Sequence, residues 1–207
     1  MDDTPVKDGV TLASLLENGG RKALSLVMFG REILANPRAM GAICPSSPAL
    51  AAHMAAQVPL NQQGPIVELG GGTGTVTAAL LKRGVRAQDL VVIERSAKLA
   101  THLCRRFPSL RVIQGDAAQL GDLLGPDAGR VRTVVSSLPL RSLPPETVRA
   151  IAGQLEAVLA PGARFIQFTY KHRALCSMLS ERFTTVYSRI IWGNLPPARL
   201  DVFQYQP

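Results

Sequence analysis

The segment PIVELGGGTG, residues 65–74, joins a short apolar run to a glycine-rich turn. Residues 65–69 have the length and apolar character of a buried β-strand. The glycines at positions 70, 72 and 74 form the pattern G-x-G-x-G. In such a turn the backbone can reverse tightly, and a ligand can approach it without obstruction from a Cβ atom. A glycine turn can also be purely structural, so its meaning depends on the segments around it.

Strand and helix signals alternate from residue 65 to residue 169. Further strands are predicted at residues 90–93, 111–114, 131–136 and 163–169. Helices are predicted at residues 75–83, 96–106 and 144–159, with Ser96 as a helix N-cap and Pro161-Gly162 ending the third helix. This alternation favours a parallel sheet that is covered by helices on both faces.

The chain after residue 170 has a different pattern. A basic amphipathic helix is predicted at about residues 171–182, followed by two β-rich runs at residues 184–192 and 200–205. The connection between these runs, residues 193–199, is too short for a helical crossover. The last two strands are therefore predicted to pair in an antiparallel manner.

Acidic residues follow the second and third predicted strands. Glu94 stands where a carboxylate can accept hydrogen bonds from both hydroxyls of a ribose. Asp116 can accept a hydrogen bond from the exocyclic amine of an adenine, and the small Ala117 lets the ring lie flat. Each acid alone could be a helix cap or a solvated turn residue. The glycine spacing differs from the G-x-G-x-x-G pattern of dinucleotide-binding folds, because Thr75 stands where the third glycine would fall. The glycine turn, Glu94 and Asp116 together predict a nucleoside-containing ligand.

In this arrangement residues 65–206 resemble the class I S-adenosylmethionine-dependent methyltransferases. The resemblance implies an α/β fold with a Rossmann-like, seven-stranded sheet, mostly parallel with an antiparallel last strand. It implies that Glu68 lies near the methionine amine, with glycines against the methionine portion, and that Glu94 binds the ribose. Asp116 and Ala117 would lie at the adenine. The residues predicted to bind S-adenosylmethionine are Glu68, Gly70, Gly72, Gly74, Glu94, Arg95, Asp116, Ala117 and Ser136.

The segment SSLPL, residues 136–140, ends the fourth predicted strand. In class I methyltransferases this edge faces the transferable methyl group, so Ser136, Ser137 and the carbonyl of Leu138 are predicted to orient the acceptor. Tyr170 is predicted to face a cationic nitrogen through its ring, and a purely structural tyrosine is the alternative. Relatives that methylate adenine have Asn-Leu-Pro-Tyr or a similar segment here. This chain has leucine in place of that tyrosine, which removes the stacking platform for a base.

A more specific resemblance covers nearly the whole chain from residue 25. It rests on residues 29–31, 36–42, 45–50 (PSSPAL), 68–74, 137–140 and 192–198 (WGNLPPA). Together these segments resemble the bacterial phospholipid N-methyltransferases of the soluble, peripheral type. The resemblance implies N-methylation of phosphatidylethanolamine toward phosphatidylcholine, on the inner face of the cytoplasmic membrane.

Composition and charge agree with a globular protein that meets a polyanion. The chain has 46% hydrophobic residues and a net charge of +8, which suits either nucleic acid or anionic lipid. No metal cluster, disulfide framework, signal peptide or membrane span is evident.

One domain spanning residues 1–207 is predicted, with residues 1–60 as a helical, membrane-binding extension. Residues 21–37 and 171–183 are predicted to contact membrane lipid, although the first segment could instead pack on the protein core.

Two other functions fit parts of this pattern. An RNA or DNA adenine N-methyltransferase would share the donor site, but it would need a stacking aromatic residue and usually a nucleic-acid-binding domain. No nucleic acid partner is therefore expected. A non-catalytic membrane-binding module could keep the fold. The intact acids at positions 68, 94 and 116 argue against a degenerate donor site. The sequence gives no indication of oligomeric state.

Overall fold

A computed structural model describes residues 46–170 and 179–207. In these ranges the strands are β1 (Ile66–Leu69), β2 (Leu90–Glu94), β3 (Arg111–Gln114), β4 (Val131–Ser136), β5 (Leu159–Thr169), β6 (Phe183–Ile191) and β7 (Ala198–Tyr205). The α-helices are α1 (Pro48–Ala56), α2 (Thr75–Arg83), α3 (Ala97–Arg106), α4 (Leu120–Leu124) and α5 (Pro145–Val158). The predicted helix at residues 21–37 and most of the one at 171–182 lie outside the described residues.

The seven strands form one sheet in the order β3-β2-β1-β4-β5-β7-β6. Strands β1 to β5 are parallel, and β7 runs antiparallel to both β5 and β6. The predicted fold class is confirmed, including the antiparallel pairing of the last two strands. The carboxyl ends of the five parallel strands therefore share one edge of the sheet, where β6 also ends and β7 begins.

Two layers of helices cover the sheet. Side chains alternate between the two faces of a strand, so neighbouring residues of β4 enter different cores. Val134 packs in a cluster with residues of α4 and α5, whereas Val135 packs with residues of α1, α2 and α3. Apolar burial on both faces explains why the central strands are almost continuously hydrophobic.

Local signals set several element boundaries correctly. Helix α2 and strands β3 and β4 have the predicted bounds. Helix α2 ends at Gly84, which has a φ of 105°, a value that glycine adopts without a Cβ penalty. Helix α3 begins after Ser96, whose hydroxyl oxygen accepts a hydrogen bond from the backbone N–H of Leu99 at 3.4 Å.

The prediction that Pro161-Gly162 ends the third helix is wrong. The chain passes from Val158 of α5 directly into β5, and Pro161-Gly162 lies within that strand. The register between β4 and β5 shifts here, because Val131 pairs with Leu159 and Thr133 pairs with Arg164. A β-bulge at this point accommodates Pro161, which has no backbone N–H to donate to the neighbouring strand, and Gly162, which has a φ of 75°.

The predicted helix does not extend to residue 182. Residues 179–182 form a bend and turn, and β6 begins at Phe183. Phe183 is buried, and its ring packs on Phe165 and Tyr205 at centroid distances of 6.4 Å and 5.2 Å. Aromatic packing with two distant strands therefore overrides the local helical pattern, and it places Phe183 in the core rather than on a lipid-facing surface.

Candidate functional site

The glycine turn between β1 and α2 is held against the end of β2. The backbone N–H of Gly70 donates to the carbonyl of Ile93 at 2.9 Å. Gly70, Gly72 and Gly74 have φ values of 76°, 53° and 83°. A Cβ atom added to Gly72 would have only the carbonyl oxygen of Gly70 within 4 Å, at 3.9 Å, so this position borders open space. A Cβ atom on Gly70 would lie 3.1 Å from the Cδ2 atom of Leu138, in the loop after β4.

Glu94 fixes the shape of the glycine turn. One carboxylate oxygen, Oε2, accepts a hydrogen bond from the backbone N–H of Gly72 at 2.9 Å. The other, Oε1, accepts from the backbone N–H of Ser96 at 2.8 Å. Each carboxylate oxygen can accept two hydrogen bonds, so both retain acceptor capacity for ribose hydroxyls. The sequence located this carboxylate at the site but did not predict that it also braces the turn.

Glu68 of β1 is fully buried beneath the turn. Its Oε2 accepts a hydrogen bond from the hydroxyl of Thr77 in α2 at 2.7 Å, whereas Oε1 has no hydrogen-bond partner. Burial raises the pKa of Glu68 to about 8, and the nearby charge of Glu94 adds to this effect. An unsatisfied buried carboxyl oxygen is costly, and a cationic amine placed beside it would satisfy it.

Asp116 lies in the turn after β3. Its Oδ1 accepts a hydrogen bond from the backbone N–H of Ala118 at 2.9 Å, which caps the short 3₁₀ helix Ala117–Gln119. Its Oδ2 lies 3.7 Å from the Nη1 atom of Arg95, in an exposed ion pair. Ala117 is buried against the core. The structure therefore brings the three predicted strand-end acids to one edge, while Arg95 extends into solvent.

The loop after β4 forms the other side of this edge. The hydroxyl oxygen of Ser136 accepts a hydrogen bond from the backbone N–H of Leu138 at 3.3 Å, so it stabilises its own loop. The hydroxyl of Ser137 is buried without a hydrogen-bond partner. The carbonyl of Leu138 accepts hydrogen bonds from the Nε2 atom of Gln167 at 3.0 Å and from the backbone N–H of Leu140 at 2.9 Å, which engage both of its lone pairs. Of the three groups predicted to orient the acceptor, the hydroxyl of Ser137 is therefore the one that still lacks a hydrogen-bond partner.

Tyr170 follows β5 directly. Its ring packs edge-on against Phe168, with a centroid distance of 5.4 Å and an interplanar angle of 75°. It is partly buried beside the core that α1, α2 and α3 cover. This packing fits the structural alternative, and a role for the ring toward a cationic nitrogen stays a prediction.

Sequence reasoning missed three polar residues at or near this edge: Thr77, Gln167 and Asp201. Gln167 and Asp201 are each almost fully buried, in the apolar strands RFIQFT and RLDVFQY. A single polar residue within an apolar strand is the signal that could have identified them, since buried polar groups need a partner.

Comparisons with known proteins agree with this geometry. The family described as "Methyltransferase domain" matches residues 66–162. An ornithine lipid N-methyltransferase from Singulisphaera acidiphila is 30% identical over 167 residues, which are 77% of this chain and 85% of that protein. This chain belongs to the S-adenosylmethionine-dependent methyltransferases.

Two solved methyltransferase structures share the fold. The N-methyltransferase NodS from Bradyrhizobium japonicum, solved with S-adenosylhomocysteine, has a TM-score of 0.58 at 18% identity and covers 70% of this chain and 79% of its own. The 1,6-didemethyltoxoflavin-N1-methyltransferase from Burkholderia thailandensis has a TM-score of 0.57 at 17% identity, with coverages of 100% and 94%. The sheet of this methyltransferase is therefore that of class I, with S-adenosylmethionine as the donor.

The residues at the edge fit that donor. The unsatisfied Oε1 of Glu68 suits the methionine ammonium, and the open space at Gly72 admits the methionine portion. The remaining acceptor capacity of Glu94 suits the ribose hydroxyls. The bound donor supplies a methyl group on a positively charged sulfur. The protein contributes orientation and exclusion of water, which are the main requirements of a direct displacement.

Proposed function

We propose that this methyltransferase transfers methyl groups to the amine of a membrane lipid, phosphatidylethanolamine, toward phosphatidylcholine. The observation that carries the proposal is the similarity to a lipid N-methyltransferase over most of both chains. Phosphatidylethanolamine carries a primary amine on a membrane-bound molecule. An ornithine lipid is the second candidate acceptor, because the relative's name specifies it.

The loop after β4 and the strand ends beside it, here called the acceptor edge, suit an aliphatic amine better than a nucleobase. Leu140 occupies the position where adenine methyltransferases have a stacking aromatic residue, and it is only 4% exposed because it packs in the core beside α5. Ser137 instead offers a buried hydroxyl that can accept a hydrogen bond from an amine. A small, flexible headgroup needs orientation at its nitrogen and no aromatic platform.

The loop between β6 and β7 supports contact with a membrane. Trp192 and Leu195 are 74% and 57% exposed. Between them Asn194 is buried, and its Nδ2 donates to the carbonyl of Pro196 at 2.7 Å. Its Oδ1 accepts from the backbone N–H of Ser47 at 3.2 Å, so the loop is fixed to the start of α1. An exposed tryptophan and leucine on a fixed loop suit the boundary between lipid headgroups and acyl chains.

This loop lies at the same edge of the sheet as the donor turn and the β4 loop. A membrane bound there would present its headgroups to the acceptor edge. The segments at residues 21–37 and 171–178 belong to the same proposal as further lipid contacts, and the net charge of +8 favours anionic lipids at the inner face of the cytoplasmic membrane.

Among the described residues, no helix has the length and hydrophobicity needed to cross a bilayer.

The chemistry requires the acceptor amine in its neutral form, because an ammonium has no lone pair to attack with. Burial at the acceptor edge lowers the pKa of an amine and so favours the neutral form. Buried hydrogen-bond acceptors at this edge hold the N–H groups of the amine and direct its lone pair toward the donor.

The test is a comparison of acceptors in parallel. The purified chain receives S-adenosylmethionine with a labelled methyl group, together with vesicles of phosphatidylethanolamine, vesicles of ornithine lipid, or RNA. We expect label in the phosphatidylethanolamine fraction at the highest rate. Label in ornithine lipid alone would reassign the lipid acceptor, and label in RNA with none in either lipid would overturn the proposal.

A further inference from the structure

Two buried polar residues stand side by side next to the acceptor edge. Gln167 of β5 and Asp201 of β7 are directly opposite each other in the antiparallel pairing, and each is 1% exposed. Residues opposite each other in such a pair have Cβ atoms about 4.5–5.5 Å apart on the same face of the sheet. Gln167 is also the register partner of Ser136, at the end of β4. The pair thus continues the acceptor edge from β4 across β5 to β7.

Each residue of this pair has one oxygen atom without a hydrogen bond. The unsatisfied atoms are Oε1 of Gln167 and Oδ2 of Asp201. The other polar atoms are engaged: the Nε2 atom of Gln167 donates to the carbonyls of Leu138 and Phe168 at 3.0 Å and 2.6 Å. A buried acceptor without a donor costs about 1–3 kcal/mol, so two neighbouring ones need an explanation.

The charge of Asp201 is already compensated on its other oxygen. Oδ1 accepts hydrogen bonds from the Nε atom of Arg199 at 2.8 Å and from the hydroxyl of Ser188 at 2.5 Å. An isolated carboxylate would hold a bound amine as an ammonium ion. The guanidinium of Arg199 offsets that effect, so Oδ2 can accept a hydrogen bond while the amine stays neutral.

We propose that Gln167 and Asp201 form the subsite for the acceptor amine, with Oε1 and Oδ2 accepting hydrogen bonds from its two N–H groups. The inference rests on the proposed function and assigns residues to it. Both oxygen atoms are closed to solvent. Gln167 holds the loop after β4 through the carbonyl of Leu138, so this loop is the part of the edge that would move to admit the amine. With both N–H groups held, the nitrogen lone pair points away from the pair and toward the donor methyl.

The reaction balances with these residues in place. The lone pair of the amine forms the new N–C bond while the bond from that carbon to sulfur breaks, and sulfur keeps the bonding electrons and becomes a neutral thioether. The product ammonium then releases a proton to water. Gln167 and Asp201 position the nitrogen and neither gains nor loses a proton.

This arrangement makes the dependence on the pair differ between methylation steps. Phosphatidylethanolamine has two N–H groups, its monomethyl derivative has one, and its dimethyl derivative has none. Removing one hydrogen-bond-accepting oxygen from Gln167 or Asp201 should therefore slow the first methylation most and the third methylation least. We expect a decrease of about tenfold or more in kcat/KM for the first step and less than about twofold for the third, since a lost hydrogen bond of this kind is worth about one order of magnitude.

The test uses the full chain with Gln167→Met and Asp201→Asn, assayed separately on vesicles of the three lipids. Matched controls are Gln154→Met, which removes a half-buried hydrogen bond from the backbone N–H of Gly121 to a glutamine of α5, and Asp127→Asn, which removes an exposed ion pair with Arg111. Calorimetric titration with S-adenosylhomocysteine measures donor binding in each variant. We expect donor binding to stay unchanged in all four.

The outcomes separate this inference from the proposed function. Equal losses in all three steps, or loss of donor binding, would show a purely structural role and overturn the inference while lipid methylation stands. Unchanged kinetics in both variants would overturn it too. Methylation of none of the three lipids by the unaltered chain would overturn the proposed function and the subsite with it.

Discussion

Glu68 shows how one side chain couples donor binding to protonation. It is fully buried, and its pKa is raised to about 8 chiefly because burial penalises the charged form. Near neutral pH the ligand-free protein therefore keeps this carboxyl mostly protonated. A methionine ammonium at Oε1 would stabilise the carboxylate and lower its pKa again.

Donor binding at pH 7 should therefore release a proton from Glu68. Calorimetric titrations with S-adenosylhomocysteine, repeated in buffers of different ionisation enthalpy, measure this release. We expect about one proton per ligand bound to the unaltered chain, and markedly less in Glu68→Gln. Equal proton release in the two proteins would show that Glu68 does not face the ammonium.

The same residue should make the stability of the ligand-free protein depend on pH. Its carboxyl has an ordinary pKa of 4.5 in the unfolded chain and a pKa of about 8 in the folded state, so the folded state binds the proton more tightly. Its contribution is complete below pH 4.5 and is lost as the pH rises toward 8, with a slope of up to about 1.4 kcal/mol per pH unit. Denaturant titrations from about pH 5 to 8 measure this slope, which Glu68→Gln should reduce. An unchanged slope in the variant would contradict the assignment.

At the scale of elements, two adjacent glycines in the turn between β1 and α2 have different roles: Gly72 leaves space for a ligand, and Gly71 leaves space for packed side chains. A Cβ atom at Gly72 borders open space, whereas one at Gly71 would lie 2.5 Å from Val92 and 2.8 Å from Leu103. Gly72→Ala should therefore weaken S-adenosylhomocysteine binding about tenfold or more, with a smaller loss of stability from its φ of 53°.

Gly71→Ala is the contrasting variant, and it should lower the thermal midpoint more than Gly72→Ala because its Cβ overlaps packed side chains. Calorimetry and thermal unfolding of both proteins provide the comparison. A Gly72→Ala protein that binds the ligand with unchanged affinity would show that the donor does not occupy this space.

The loop between β6 and β7 should act as a membrane contact. Trp192→Ala and Leu195→Ala remove its two exposed apolar side chains, and each should reduce the fraction of protein that sediments with anionic vesicles. Leu60→Ala is the matched control, because Leu60 is also exposed, at 44%, and lies between α1 and β1. If the control reduces sedimentation as much as the loop variants do, the loop has no special role at the membrane.

At the scale of the whole molecule, the sequence predicted the structural features that are set by residues close together in the chain. The alternation of strands and helices, the cap at Ser96 and the acids at strand ends are local patterns, so the sheet and the donor edge followed from them. The bulge at Pro161-Gly162 and the burial of Phe183 depend on pairing with strands far away in the sequence. The pairing of Gln167 with Asp201 has the same origin, since only the completed sheet brings β5 beside β7.

Lipid analysis of living cells tests the central claim, that this sheet edge methylates a lipid amine, most directly. The chain is produced in a bacterium whose membrane contains phosphatidylethanolamine and no methylated derivative, and its lipids are compared by mass spectrometry with those of cells producing Glu68→Gln at equal level. We predict methylated phosphatidylethanolamine in the first cells and little or none in the second. Absence of every methylated derivative, with a chain that binds S-adenosylhomocysteine after purification, would contradict the claim.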